Sequence, residues 1–243
     1  MFLKHMLTQK PELAEQVDLL SQESWPQFLL HGNARFWSSL FNEFTDFQTL
    51  FCDPAGALIA CGHTVPLTWS GQASDLPADL DGVLVRAMEG YTNGSPPNTL
   101  CALAAMVARH HRGQGLSSEI VRAMTGLAAR QSLHALIAPV RPTLKSRYPL
   151  TPLEHYVGWT QPDGAPFDPW IRVHWRLGAV QLQVAPRALV VTGSVADWEQ
   201  WTAMQFPESG SYVVPGALQP VVIDRDRDTG YYEDPNLWMK HAV

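Results

Sequence analysis

Neither a Cys-x-x-Cys pair nor a His-Glu-x-x-His run occurs in this chain, so a metal site has no support in the pattern of ligands. Cysteine itself is scarce. Cys52, Cys61 and Cys101 make an odd count of 3, and each lies in an apolar, strand-like run. Buried free thiols in a reducing cytoplasm are the expectation, with a nucleophilic cysteine the minor alternative. No apolar stretch approaches the roughly 18 residues of a membrane span, and the first residues hold no apolar signal-peptide core. A cytoplasmic location is therefore expected, and a membrane partner is not. Basic charge is in deficit: 17 Lys and Arg against 23 Asp and Glu leave a net charge of -6 without a basic stripe, which argues against nucleic acid. The missing Gly-x-Ser-x-Gly removes support for a serine hydrolase. No repeat and no Gly/Ser-rich linker interrupts the chain, so residues 1–243 read as a single domain.

What is present is a core. Apolar residues make up 46% of the chain and Trp alone numbers 9, an aromatic content that serves a core or a homodimer interface equally well. Residues 11–40 read as helical, with one apolar stripe at Leu13, Val17, Leu19 and Leu20 and a second piece over 25–40 that Gly32-Asn33 interrupts. Residues 47–66 read as a hairpin around Asp53-Pro54-Ala55-Gly56. A helix follows over 79–91, weakened by Gly82, then a strand over 100–107, a helix over 117–130 and a strand over 135–140. Residues 141–167 carry five prolines and no period, a long segment that is either functional or ordered by its own packing. Asp168 and Pro169 open a helix over 168–177, and Gly178 closes it. A strand over 181–192, a short helix over 196–204 and strands near 212–214, 220–223 and 231–240 complete the chain, the last three read as an extension. The order predicts an α/β fold with a mixed sheet.

The most specific local pattern is Arg112-Gly113-Gln114-Gly115-Leu116-Ser117, between an apolar strand and an amphipathic helix. Unpaired amides converge at such a helix start, the helix dipole favours an anion, and glycine removes the Cβ that would obstruct a phosphate. The turn lacks the Gly-Lys-Ser/Thr of a Walker loop and the third glycine of a dinucleotide fingerprint. It resembles the acyl-CoA signature of the GNAT superfamily of N-acyltransferases, which is Arg or Gln, two residues, Gly, one residue, then Gly or Ala. Here the pattern is Arg112-x-x-Gly115-x-Ser117, with serine as a small-residue departure. A second anchor is Arg176-Leu177-Gly178, where the family commonly has Tyr-x-x-Leu-Gly-Phe.

This resemblance implies a GNAT-like, mostly antiparallel mixed sheet flanked by helices, with acetyl-CoA or another acyl-CoA as cofactor. It implies that the amides of Arg112, Gly113, Gln114, Gly115, Leu116 and Ser117 hold the pyrophosphate. A backbone N–H near Met106 or Val107, where the strands are expected to splay, would polarise the thioester. Pantetheine would lie between the strands over 100–107 and 135–140. At the family's general-acid tyrosine position stands His174; should the helix be shifted, Tyr156 or Tyr148 takes that role. No Glu or Asp occurs in the strand over 100–107, so the base is a water relay or one of Glu154, His155 and Asp234. The acceptor is expected to be a small-molecule amine, and the cluster Arg141, Lys145 and Arg147 would suit an anionic one. Two functions stay open on these residues: a CoA-dependent N-acyltransferase, acetyl by preference, or a catalytically inactive acyl-CoA-binding protein with a sensing or regulatory role.

Overall fold

A computed structural model describes residues 2–243. Its nine strands are β1 (Leu3–Met6), β2 (Gln48–Cys52), β3 (Leu58–Leu67), β4 (Thr99–Val107), β5 (Ala135–Val140), β6 (Val180–Gly193), β7 (Gly210–Tyr212), β8 (Val221–Asp224) and β9 (Thr229–Ala242). The helices are α1 (Ala14–Ser24), α2 (Leu80–Thr92), α3 (Leu116–Arg130), α4 (Leu153–Tyr156), α5 (Pro169–Arg176) and α6 (Val195–Thr202). All strands join one sheet in the order β1-β2-β3-β4-β5-β9-β8-β7, with β6 paired to β9. Every pairing among the described residues is antiparallel except β4 with β5. The expected mixed, mostly antiparallel sheet flanked by helices is what forms.

A parallel pair needs a crossover, and α3 supplies it. Leu116, Ile120, Val121, Met124, Leu127 and Ala128 form its buried stripe, which packs with α5 on one face of the sheet against Leu100, Leu136, Ala138 and Val140. A Cβ at Gly62 would lie 2.6 Å from the Met124 methyl, so glycine there lets α3 settle directly on β3. The opposite face carries α2, whose Val83, Leu84 and Ala87 meet Val65, Leu67, Cys101, Ile137 and Trp238. Asp79 starts α2 by accepting the Gly82 N–H at 2.7 Å, so the glycine that weakens the helical pattern sits in its first turn.

Three expectations change. Residues 25–40 are not a helix; they form short 3-10 turns at Gln27–His31 and Trp37–Phe41. Phe28 belongs to a cluster with Val191, Trp198 and Tyr232, whereas Leu40 belongs to the one beneath α2, so no single stripe exists for a helix to bury. The strand β1 went unread, because its half-exposed Leu-Lys-His-Met carries no clear alternation. The tail read as a strand extension joins the same sheet, and its last strand is not at the sheet's edge: β9 pairs with β5, β6 and β8. Between β6 and β9 the chain inserts α6, β7 and β8 around Trp198, which is fully buried.

That inserted unit depends on bare backbone at Gly230, where a Cβ would lie 2.0 Å from the Trp198 ring. Gly230→Ala is expected to lower stability by about 1–3 kcal/mol through overpacking, read as a reduced urea midpoint with unchanged slope.

Candidate functional site

The glycine turn starts α3 with its amides free. Gly113 and Gly115 both adopt left-handed conformations, at φ 78° and 81°, and Gly115 is the N-cap, with no side chain capping the helix. From Gly113 to Ser117 no amide donates to a backbone or side-chain acceptor among the described residues; the first helical bonds run from Ser118 and Glu119 to the Gly115 carbonyl. The turn is exposed at 112–115, while the Leu116 side chain is buried in the core and pins the helix start. Arg112 folds back so that its Nε donates to the Val107 carbonyl at 3.1 Å, bracing the turn against the end of β4. Gln114 makes a second brace, from Nε2 to the His110 carbonyl at 3.3 Å. The arrangement is an exposed set of amide donors at the positive end of a 15-residue helix, suited to a phosphate.

Beside this turn the sheet opens. β4 and β5 pair at Thr99↔Ala135, Leu100↔Leu136 and Cys101↔Ile137, and then part. From Ala102 onward the two facing edges have no mutual partner. A register shift opposite His63/Thr64 leaves Leu103 as the bulged residue of β4. The opening thus begins several residues before Met106 and Val107, the positions expected to mark it. Met106 turns its side chain into the cluster under α1, with Trp25 Nε1 3.2 Å from its sulfur, and the Val107 carbonyl is engaged by Arg112. The residues on the parted stretches are mostly small: Ala102, Ala104 and Ala105 of β4 and Ala138 of β5.

The side chains singled out for proton transfer are differently placed. His174 is 3% exposed, and its Nδ1 lies 2.9 Å from His241 Nε2. Burial, reinforced by His241, pushes its pKa down to about 3, so it is a neutral ring at physiological pH rather than a cationic acid. His241 pairs with Leu136, on the closed part of the β4–β5 pair, so this dyad packs beside paired strands and away from the opening. Tyr156 is buried and donates to Asp168 Oδ2 at 2.9 Å; burial and that carboxylate raise its pKa well above the ordinary tyrosine range. Tyr148 is 36% exposed, packs against Tyr156, Trp159 and Phe167, and its hydroxyl makes no hydrogen bond among the described residues.

The three-residue basic cluster dissolves in the structure. Arg141 Nε donates to both oxygens of buried Asp234, at 3.1 and 2.9 Å, and Lys145 is 1% exposed with its ammonium on the Tyr148 and Leu218 carbonyls. Arg147 alone is exposed. Asp234, as the counter-ion of Arg141 and acceptor from the Tyr232 hydroxyl at 2.6 Å, is not free to serve as a base. Glu154 and His155 are exposed on α4.

Two features went unread in the sequence. Asp168, expected only as a cap, accepts from Trp170 and Ile171 at the start of α5 and also from the Leu144 amide and Tyr156, tying residues 141–167 to that helix. On the α2 face a cleft of about 320 Å³ is lined by Asp79, Gln183, Arg187 and Trp238. Trp238 pairs with Pro139 of β5, so one residue of the cleft sits on the strand next to the one that borders the opening. Its polar groups come from three distant parts of the chain, and no local motif signals it.

Buried neutral histidines give a pH test. His63 and His174 have folded pKa values pushed down to about 4 and 3 by burial, and that of His241 is also lowered. The unfolded chain binds these protons as pH falls through the ordinary histidine value, whereas the folded chain does not. Their contribution is complete above that value and is lost on acidification, at up to about 1.4 kcal/mol per pH unit for each of His63 and His174 between roughly pH 6.5 and 4, with His241 acting in the same direction. Urea midpoints are expected to fall over that window, and the fall is expected to be shallower in His174→Gln.

No family model matches the chain. It is 32% identical to arginine N-acetyltransferase avaD of Aspergillus versicolor over 249 residues, spanning 90% of this chain and 85% of that protein. The loading GNATL domain of CurA from Lyngbya majuscula shares the fold at a TM-score of 0.67 and 11% identity, with 100% of this chain and 98% of that one covered. A GphF GNAT-like decarboxylase in complex with isobutyryl-CoA does so at 0.63 and 15%, again covering 100% and 98%. With one-third identity across most of both chains, a phosphate-ready glycine turn and a sheet that opens beside it, the protein belongs to the GNAT superfamily and is a CoA-dependent N-acyltransferase.

Proposed function

We propose that the protein transfers an acetyl group from acetyl-CoA to an amine of a small guanidinium-bearing acceptor such as L-arginine. The observation that carries the cofactor side is the run of unpaired amides from Gly113 to Ser117 at the mouth of the parted strands. In this reading those amides hold the pyrophosphate, and the terminal nitrogens of Arg112 add charge while its Nε keeps the turn in place. Pantetheine extends the sheet between the free edges of β4 and β5, beside the alanines at 102, 104, 105 and 138. Its amides then satisfy backbone groups that the parting leaves without a strand partner.

The acceptor side rests on the cleft beside Trp238 and on the avaD likeness. Asp79 and Arg187 both line that cleft, and a carboxylate and a guanidinium there suit the cationic and anionic ends of an amino acid with a guanidinium tail. Tyr148, with its free hydroxyl, is the acid that returns a proton to the departing thiolate, in place of His174 and Tyr156. Residues 1–243 act as a single domain in this reading.

Calorimetry with acetyl-CoA and thiol release with an amine panel test the reading. Gly115→Val forces a β-branched residue into φ 81° and is expected to weaken acetyl-CoA binding at least tenfold while the protein remains folded. Unchanged affinity would remove the turn from the cofactor site. L-arginine is expected to release thiol faster than L-leucine, and Arg187→Ala to raise the KM for arginine more than it lowers kcat. Equal rates for the two amino acids would reject the guanidinium acceptor.

A further inference from the structure

On the α2 face, His63 of β3 stands opposite Ala104, at the register shift where β4 bulges and its other edge is already free of β5. Its neighbours along the strand on the same face, Cys61 and Val65, are buried on that side of the sheet. The ring is 1% exposed and is covered by Trp37 and Phe41, at centroid distances of 6.2 and 5.7 Å. Gln48 fixes its tautomer. The Gln48 amide nitrogen donates to the carbonyls of Phe44 and Thr64, at 2.7 and 2.9 Å, which orients its oxygen. That oxygen accepts the Thr64 N–H at 3.2 Å and lies 3.0 Å from His63 Nδ1. An amide oxygen only accepts, so Nδ1 carries the hydrogen and the lone pair is on Nε2. The neighbour of Nε2 is the weakly donating thiol of Cys61, at 3.7 Å.

We propose that His63 is the general base of the acyl transfer, with Nε2 accepting the proton shed by the attacking nitrogen. This rests on the proposed function, in which pantetheine lies between the free edges of β4 and β5; with the glycine turn at the start of α3, acyl-CoA then enters from the α3 face and presents its thioester through the parted strands. The acyl group then emerges on the α2 face, one strand away from His63. Trp37 and Phe41 cover the ring, and in this proposal they move aside as the amine of an acceptor held in the cleft beside Trp238 reaches Nε2. The nitrogen lone pair forms the C–N bond at the thioester carbonyl, and an N–H bond of that nitrogen breaks to Nε2. The C–S bond breaks with its electron pair on sulfur, the thiolate takes the Tyr148 hydroxyl proton, and His63 returns its own proton through water to the Tyr148 phenolate. The ring is neutral, with its Nε2 lone pair facing only the weak thiol donor of Cys61, and burial disfavours an ammonium beside it, so the acceptor arrives as the free amine. Cys61 is the titratable group facing the ring, while β2, β4 and the turn at Trp37–Phe41 present Gln48, Ala104, Trp37 and Phe41, none of them ionisable.

The test uses the full chain with acetyl-CoA and L-arginine. His63→Gln is expected to lower kcat about 100-fold, the scale of a lost general base, with the acetyl-CoA dissociation constant within twofold of wild type. In His63→Ala, added imidazole is expected to restore part of the rate in a saturable way, a recovery that a packing role would not produce. A His63→Gln variant within threefold of the wild-type kcat would overturn the proposal. So would a loss of rate that imidazole fails to restore and that tracks a loss of acetyl-CoA binding. A wild-type protein that binds acetyl-CoA but releases no thiol with arginine would instead reject the acceptor reading.

Discussion

The parting of β4 from β5 after three paired residues is the constraint on which the rest of the molecule depends. A sheet interior with two unpaired edges is costly unless something supplies the missing partners. The protein holds the gap open from both sides. β9 pairs with β5 along its whole length, and β3 pairs with β4 from Thr99 to Val107, so neither strand can shift to close it. The bulge at Leu103 interrupts β4 where the parting begins, and the small residues Ala102, Ala104 and Ala105 of β4 and Ala138 of β5 lie on the parted stretches. Gly62 brings α3 down onto β3 and so sets the height of the glycine turn above the opening.

Segments that look irregular are tied to this frame by a few buried polar groups. Asp168 accepts from two amides of α5, from Leu144 and from Tyr156, and so converts a proline-rich stretch into a fixed wall with an aromatic core of Tyr148, Tyr156, Trp159 and Phe167. Arg141, the residue that follows β5, is locked to Asp234 of β9 and to the Gly216 carbonyl. A buried ion pair of this kind adds little net stability, because both charges lose their water. Breaking it by removing one partner is costly, and so it fixes where the chain leaves the sheet. Both carboxylates are structural anchors, and that keeps them out of the chemistry.

Histidines divide along the same line. His174 and His241 satisfy one another on the α3 face beside paired strands, and their outer nitrogens are enclosed. His63 lies on the opposite face, on a strand paired on both sides, opposite Ala104 whose other edge is free of β5, and is oriented by Gln48. Burial makes all three neutral; what separates them is which part of the sheet they border.

Local sequence determined the elements whose cause is local. The helix start at Gly113-Gln114-Gly115, the Asp168 cap, the Gly178 stop and the apolar strands flanking α3 follow from backbone sterics and from periodicity within a dozen residues, and the superfamily follows from them. Position across the fold was not legible in the same way. Pairing Gln48 with His63, Asp234 with Arg141 and His241 with His174 joins residues from 15 to 93 positions apart. Nothing in the neighbourhood of any one of them marks its partner. Tertiary structure alone therefore decided which titratable groups are spent on packing and which border the opening. Burial and hydrogen bonding to distant groups set a side chain's charge state, whereas residue type and spacing set only the element on which it rides.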